Sequence, residues 1–149
     1  MEIHGCVRDL LTNKGADVWT TTPEQTVYEA VRLMGEKDIG ALVVLENHEV
    51  VGVLSERDYS RKVVLQDRTS RDTRVGEIIT RPAIVVNSSE GIGTCMEIMT
   101  SARIRHLPVV DEGKLVGMIS IGDLVNWVMH SQRHTIQQLH GYISGEYPG

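Results

Sequence analysis

The pattern of hydrophobic and polar positions occurs twice along the chain, at a constant separation of 65 residues. Residues 39–63 and 104–128 align without a gap and are identical at eight of 25 positions. Each copy holds two short runs rich in Val, Ile and Leu. These runs span 39–45, 50–54, 104–110 and 115–119. Short apolar runs separated by a polar turn predict a β-hairpin in each copy, and a regular internal repeat indicates two similar structural units.

A helix is predicted upstream of each hairpin. Apolar residues recur there at i, i+3, i+4 and i+7, which is the pattern of one buried helical face. The matching sets are Val27, Ala30, Val31 and Met34 in the first copy and Ile92, Cys95, Met96 and Met99 in the second. We expect these helices to begin at 22–24 and 87–90, because Pro23 suits a first helical turn.

Each copy is therefore expected to contain a strand, a helix, two strands and a second helix. An extended piece (17–21 and 83–86) precedes the first helix, and the second helix is expected to begin at Ser55 and at Ser120. An apolar turn at 7–11 resembles one at 75–79 and leads into each copy. Neither copy of about 60 residues can bury both faces of its sheet alone, so the two should pack together. The predicted boundaries are 7–65 for repeat 1, 66–74 for a polar linker, 75–130 for repeat 2 and 131–149 for an amphipathic tail helix.

Composition and charge exclude several classes of protein. The 149 residues carry a net charge of −5, with a pI near 5.6, which argues against nucleic acid as a partner. No apolar run approaches the roughly 20 residues that span a bilayer, and no basic-then-apolar leader begins the chain, so neither a membrane partner nor secretion is expected. The two cysteines, Cys6 and Cys95, fit a reducing compartment. We therefore predict a cytoplasmic protein.

The candidate chemistry lies in a motif that both copies share. The motif is Gly-hydrophobic-x-Ser-x-x-Asp. It occurs at 52–58 and again at 117–123, where the second helix of each copy is expected to begin. A carboxylate fixed on a helical turn can accept strong hydrogen bonds from a ribose diol, and the free N–H groups of the turn suit a phosphate. Gly52 and Gly117 would leave room for close approach of a ligand. The alternative is that Ser-x-x-Asp is only a capping box.

With this repeat order and this motif, the chain resembles a tandem pair of CBS domains, also called a Bateman module. The resemblance covers roughly residues 7–130, and 55–62 is similar to small stand-alone CBS-pair proteins of bacteria and plant organelles. It implies a mixed α+β or α/β fold in which two β-α-β-β-α repeats pack as a pseudo-two-fold pair. It also implies a regulatory rather than catalytic protein, and a homodimer. The expected ligand contains adenosine: AMP, ADP, ATP, NAD(H) or S-adenosylmethionine.

The resemblance further implies two clefts, each with Ser-x-x-Asp from one repeat and strand residues from the other. The first cleft would combine Ser55 and Asp58 with Ile84, Ile104, Arg105 and His106. The second would combine Met118, Ser120 and Asp123 with Trp19, Ile39, Gly40 and Ala41. Arg57 and Arg61 would favour phosphates at the first cleft, unless they are solvated or paired with neighbouring carboxylates. Trp19 would stack on a ring, or it belongs to the core.

Two other functions stay open at this point. The repeats could form a structural interaction module whose clefts are vestigial. An enzyme is the weaker alternative, because the sequence contains no Ser-His-Asp order, no paired catalytic carboxylates and no metal-ligand spacing. No catalytic cofactor or metal is expected, and the output of ligand binding would then pass to the dimer itself or to a separate regulated protein.

Overall fold

The first repeat folds in the predicted order, except that the lead-in expected as a turn at 7–11 is a helix of eight residues. In the computed structural model, which describes residues 3–131, its elements are α1 (Val7–Lys14), β1 (Thr20–Thr21), α2 (Val27–Lys37), β2 (Ala41–Glu46), β3 (Glu49–Ser55) and α3 (Glu56–Lys62). Short 3-10 helices follow at Val64–Gln66 and Val75–Glu77. The mixed α+β architecture is as expected.

The second repeat repeats this order after the linker. Its elements are α4 (Ile92–Ala102), β4 (His106–Asp111), β5 (Lys114–Ser120) and a helix, α5, whose described part covers 121–131. Of the predicted tail helix at 131–149, everything beyond 131 lies outside the described residues. No helix in the described part of the chain combines the length and apolar character needed to cross a membrane.

The two hairpins have the same register. Ala41 pairs with Ser55 in the first, and His106 pairs with Ser120 in the second. Both ladders also shift by one residue at the same place, after Val44 and after Val109. The parallel strand differs only in length: Thr20–Thr21 forms a short strand against β2, whereas Val86 makes a single parallel bridge to Val109. The internal repeat therefore extends from the sequence to the hydrogen-bond pattern.

The long helices begin later than predicted. Helix α2 starts at Val27 and α4 at Ile92, after a turn that contains the residues expected to open each helix. The side chain of Thr26 caps α2 by accepting a hydrogen bond from the Glu29 N–H at 3.1 Å. Pro23 lies in the turn before the helix, and its carbonyl accepts a hydrogen bond from the Gly76 N–H at 3.0 Å. The expectation based on Pro23 was wrong by one turn.

The segments that lead into the repeats are exchanged between the two cores. Helix α1 contributes Val7, Leu10 and Leu11 to a core that otherwise belongs to repeat 2. The segment 75–78 contributes Val75 and Ile78 to the core of repeat 1. Backbone hydrogen bonds fix both crossings, from Val7 to Glu90 at 2.9 Å and from Val75 to Gln25 at 2.9 Å. Each lead-in segment thus ties the two repeats into one unit.

This exchange explains the two motif glycines. A Cβ atom at Gly52 would lie 2.9 Å from Ile79 Cδ1, and one at Gly117 would lie 3.0 Å from Leu11 Cδ2. The space that we assigned to an approaching ligand is filled by the apolar side chains of the exchanged segments. The glycines are therefore required for packing, and that part of the sequence interpretation was wrong.

Candidate functional site

A cleft of about 530 Å³ lies between the two repeats, a volume typical of small-molecule sites. Repeat 1 contributes the end of β3 and the first turns of α3, and repeat 2 contributes the segment before Val86 and the end of α4. All eight residues expected at the first cleft line it: Ser55, Arg57, Asp58, Arg61, Ile84, Ile104, Arg105 and His106. Residues from both repeats thus meet at one opening.

Ser55 and Asp58 form a reciprocal capping box at the start of α3. The Asp58 N–H donates to Ser55 Oγ at 3.2 Å, while the Ser55 N–H donates to Asp58 Oδ2 at 2.9 Å. The Ser55 hydroxyl also lies 3.0 Å from Asp58 Oδ2. The expected capping box is therefore present, and it occupies one of the two carboxylate oxygens of Asp58. The capping box uses Oδ2, whereas Oδ1 lies 3.3 Å from the Lys62 ammonium.

The first cleft is strongly cationic. Five basic side chains and two carboxylates line it; the basic ones are Arg57, Arg61, Lys62, Arg103 and Arg105. Arg57 Nη1 donates across the cleft to the Arg103 carbonyl at 3.3 Å. Lys62 donates to the Ile78 carbonyl at 2.8 Å, which anchors its ammonium beside Asp58. An anionic ligand would be attracted to this wall.

His106 lies at the boundary between the two expected clefts. Burial lowers the pKa of its imidazole, and the charge of nearby Asp123 opposes that shift in part. Gly40 faces this ring, because a Cβ atom there would lie 3.6 Å from His106 Nε2. Gly40 was expected in the second cleft, but it lines the first. The absence of a side chain at Gly40 keeps that wall open.

The second Ser-x-x-Asp motif has the same local geometry and a different neighbour. Ser120 and Asp123 form the backbone hydrogen bonds of the capping pattern at 2.8 and 3.1 Å. The Lys14 ammonium lies 2.6 Å from Asp123 Oδ2 and donates to the Met118 carbonyl at 2.9 Å. Asp123 is thus already paired with a cation of this chain.

The other residues expected at the second cleft lie in mixed environments. Trp19 is 41% exposed, which excludes a core role, and the Lys37 ammonium stands 4.2 Å from the centroid of its ring. Ala41 is fully buried, so its side chain is not available to a ligand. Ile39 is half-buried and packs on the first core.

Several cleft residues were missed from the sequence. Thr80, Pro82 and Ala83 line the first cleft next to Ile84, together with Lys62 and Arg103. Lys62 follows Asp58 by four residues, and this helical spacing was a signal for the contact that was not used. No comparable signal exists for Lys14, which lies 109 residues from Asp123.

The described residues contain no grouped metal ligands, and the Cys95 thiol is buried. Among residues 3–131, no three His, Cys, Asp or Glu side chains are grouped as metal ligands would be. Burial raises the pKa of the Cys95 thiol to about 11, and its side chain belongs to the second core. A thiol of this kind stays protonated and unreactive at neutral pH.

Comparison with known proteins gives a consistent family. The family model of the CBS domain matches twice, at residues 7–64 and 75–130. The CBS domain-containing protein CBSX3, mitochondrial, of Arabidopsis thaliana is 41% identical over 95% of this chain and 73% of its own length. The location in that name is the relative's, and a cytoplasmic location stays a prediction for this chain.

Solved structures agree. A protein with CBS domains from Burkholderia ambifaria is 48% identical, with a TM-score of 0.82 over 86% of this chain and 96% of that one. A hexameric CBS-CP12 protein from bloom-forming cyanobacteria is 30% identical, with a TM-score of 0.74 over 84% of this chain and 72% of that one. CBS-domain pairs are generally regulatory and signal-transduction modules rather than enzymes, and they often form oligomers. This chain belongs to the CBS-domain family and contains a tandem pair of CBS domains.

Proposed function

We propose that the chain is a regulatory module that binds an adenosine nucleotide in the first cleft. The observation that carries the proposal is the cleft between the repeats, where the Asp58 carboxylate stands beside five basic side chains. A ribose diol would donate to Asp58 Oδ1, which the capping box leaves free. The phosphates would face Arg57, Arg61 and the start of α3.

The remaining surfaces of the cleft suit the base. Ile84 is 45% exposed and Ile104 is half-buried, so both present apolar surface at the opening. A flat ring placed between them would remove this surface from water, at about 25 cal/mol per Å². Backbone groups near Arg105 and Gly40 would read the edge of the adenine.

The regulatory step would be a shift between two arrangements of the repeats. A ligand in this cleft touches both repeats, so it favours the arrangement in which both walls are in place. The size of the shift is limited by the difference in ligand affinity between the two arrangements. The change would reach a homodimer surface or a separate regulated protein. Val125 and Met129, both over 40% exposed and four residues apart on α5, are suited to such a surface.

A thermal-shift panel tests the ligand class. The panel contains AMP, ADP, ATP, NAD, NADH and S-adenosylmethionine, with GMP as the control nucleotide. A ligand present at 100 times its Kd adds about 2.7 kcal/mol to the free energy of unfolding, which raises Tm by roughly 5–10 °C for a chain of this size. We expect adenosine ligands to raise Tm and GMP to leave it unchanged.

The variant D58N tests the site. Asn keeps an oxygen for the capping bond but loses the charge that strengthens a ribose contact, so we expect AMP affinity to fall about tenfold or more. The matched control is D67N, which removes the same charge from an exposed position at the end of a 3-10 helix. Equal AMP affinity in D58N and the parent protein would contradict the assignment.

A second candidate is an interaction module with vestigial clefts. The capping boxes favour it, because they give both aspartates a structural task without any ligand. It predicts no thermal shift with any nucleotide and no nucleotide released from the purified protein after denaturation. Either a thermal shift with an adenosine nucleotide or a co-purified adenosine nucleotide would favour the nucleotide-binding regulatory module.

A further inference from the structure

We propose that Lys14 and Lys37 close the second cleft, so that each chain binds one nucleotide, in the first cleft only. The inference rests on the proposed function, since it assigns which of two related clefts is open. Two separate contacts carry it: an ion pair on Asp123 and a cation–π contact on Trp19.

Lys14 is hydrogen-bonded to two polar atoms at the second motif. Its ammonium contacts Asp123 Oδ2 at 2.6 Å, the oxygen that also accepts from the Ser120 N–H, and the Met118 carbonyl at 2.9 Å. Asp123 corresponds to Asp58, and Met118 corresponds to Val53, which lines the first cleft. A ribose diol at Asp123 would therefore have to share the carboxylate with this ammonium group or displace it.

Lys37 covers the aromatic surface of the same cleft. Its ammonium lies 4.2 Å from the centroid of the Trp19 ring. Trp19 corresponds to Ile84, and Lys37 corresponds to Ala102, and both of those line the first cleft. The second cleft thus has a lysine where the first has a methyl group, and that lysine occupies one face of the Trp19 ring.

Apart from Lys14 and Lys37, the second cleft lacks equivalents of the basic groups that line the first. The five basic positions of the first cleft all change their chemistry in the other repeat. Their counterparts are Gly122, Asn126, Trp127, Asp38 and Gly40. After removal of the two lysines the local charge is negative, at Asp38 and Asp123. A nucleotide therefore has weak electrostatic means to expel Lys14.

Lys14 is held in place by the exchanged helix. Val7, Leu10 and Leu11 of α1 are buried in the core of repeat 2, and Lys14 follows them at the end of the same helix. The ammonium is therefore positioned next to Asp123 before any ligand arrives. A competing ligand faces an intramolecular partner, whose effective concentration is high.

The test counts adenosine sites by equilibrium dialysis with radiolabelled adenosine. Adenosine carries no phosphate, so the negative charge left at the second cleft does not oppose it. We expect the double variant K14M/K37A to bind one more adenosine per chain than the parent protein. Adding D123N to that variant should remove the extra site. The matched control is R32A/K114M, which removes two exposed cations from α2 and β5 and should leave the count unchanged.

The outcomes separate this inference from the proposed function. Two adenosine sites in the parent protein, or no gain in K14M/K37A, would overturn the closure while AMP binding at Asp58 could still stand. A gain in the variant without AMP binding in the parent protein would support the closure and remove the first cleft as a site. Absence of adenosine binding in every protein would overturn the closure, because the opened second cleft would then bind nothing, whereas the first cleft is tested separately by AMP binding to the parent protein and to D58N.

Discussion

Asp58 and Asp123 have the same local geometry, and their neighbours make them different. Each accepts a hydrogen bond from the N–H of a serine three residues earlier, at 2.9 and 2.8 Å. Lys62 lies 3.3 Å from Asp58 Oδ1 and also donates to the Ile78 carbonyl, whereas Lys14 lies 2.6 Å from Asp123 Oδ2 and also donates to the Met118 carbonyl. The same motif therefore has a longer ion pair in one repeat and a shorter one in the other.

His106 makes the stability of the fold depend on pH. Because burial lowers the pKa of its imidazole below the ordinary value of 6.5, the unfolded chain binds a proton at a pH where the folded chain does not. The free energy of unfolding should therefore fall as the pH drops below about 6.5, until it reaches the lowered pKa of the folded state. The variant H106Q should lose this dependence.

Urea unfolding at pH 7.5 and pH 5.5 measures the effect. This interval lies above the titration of Asp9, Glu77 and Asp111, whose pKa values are lowered by hydrogen bonds. The control H48N changes an exposed histidine in the turn between β2 and β3, and it should keep the pH dependence of the parent protein. The same dependence in H106Q as in the parent protein would show that another group is responsible.

At the scale of elements, each lead-in segment should stabilise the repeat that it does not precede. Leu10 is 4% exposed and packs in the core of repeat 2, so L10A should cost about 2–5 kcal/mol, as buried leucines do. Hydrogen exchange should then accelerate more in α4 and β4 than in α2 and β2. Its matched variant is I78A, at a residue 3% exposed in the other core, and it should affect α2 and β2 more. An effect of L10A centred on α2 would contradict the exchange.

The sequence predicted the elements better than it predicted their partners. Short apolar runs separated by a polar turn identified both hairpins, and apolar residues at i, i+3, i+4 and i+7 identified the long helices, because both signals are local in the sequence. The start of α2 was misplaced, since Pro23 fits a helix and a turn equally well. The exchange of α1 and the position of Lys14 depend on contacts between distant segments. A repeat in sequence does not distinguish packing within a copy from packing across copies.

At the scale of the whole molecule, the charge of the first cleft is opposite in sign to the net charge of the chain. The chain has a net charge of −5, yet five basic side chains and two carboxylates line the first cleft. The net charge repels a nucleotide at long range, while the local cluster attracts it at the opening. Because dissolved salt screens both effects over about 10 Å at 0.1 M, the balance between them should change with ionic strength.

Titration of AMP and ATP at increasing NaCl therefore tests the electrostatic design of the cleft. ATP carries more phosphate charge toward Arg57 and Arg61, so it should bind more tightly than AMP at 50 mM salt. Its affinity should fall on the order of tenfold by 500 mM, and that of AMP only about twofold. The variant R61A, which removes an exposed arginine from the cleft wall, should reduce the ATP dependence and leave that of AMP nearly unchanged. Equal salt dependence for the two nucleotides would mean that the phosphates leave the cleft into solvent, and that the arginines do not select for them.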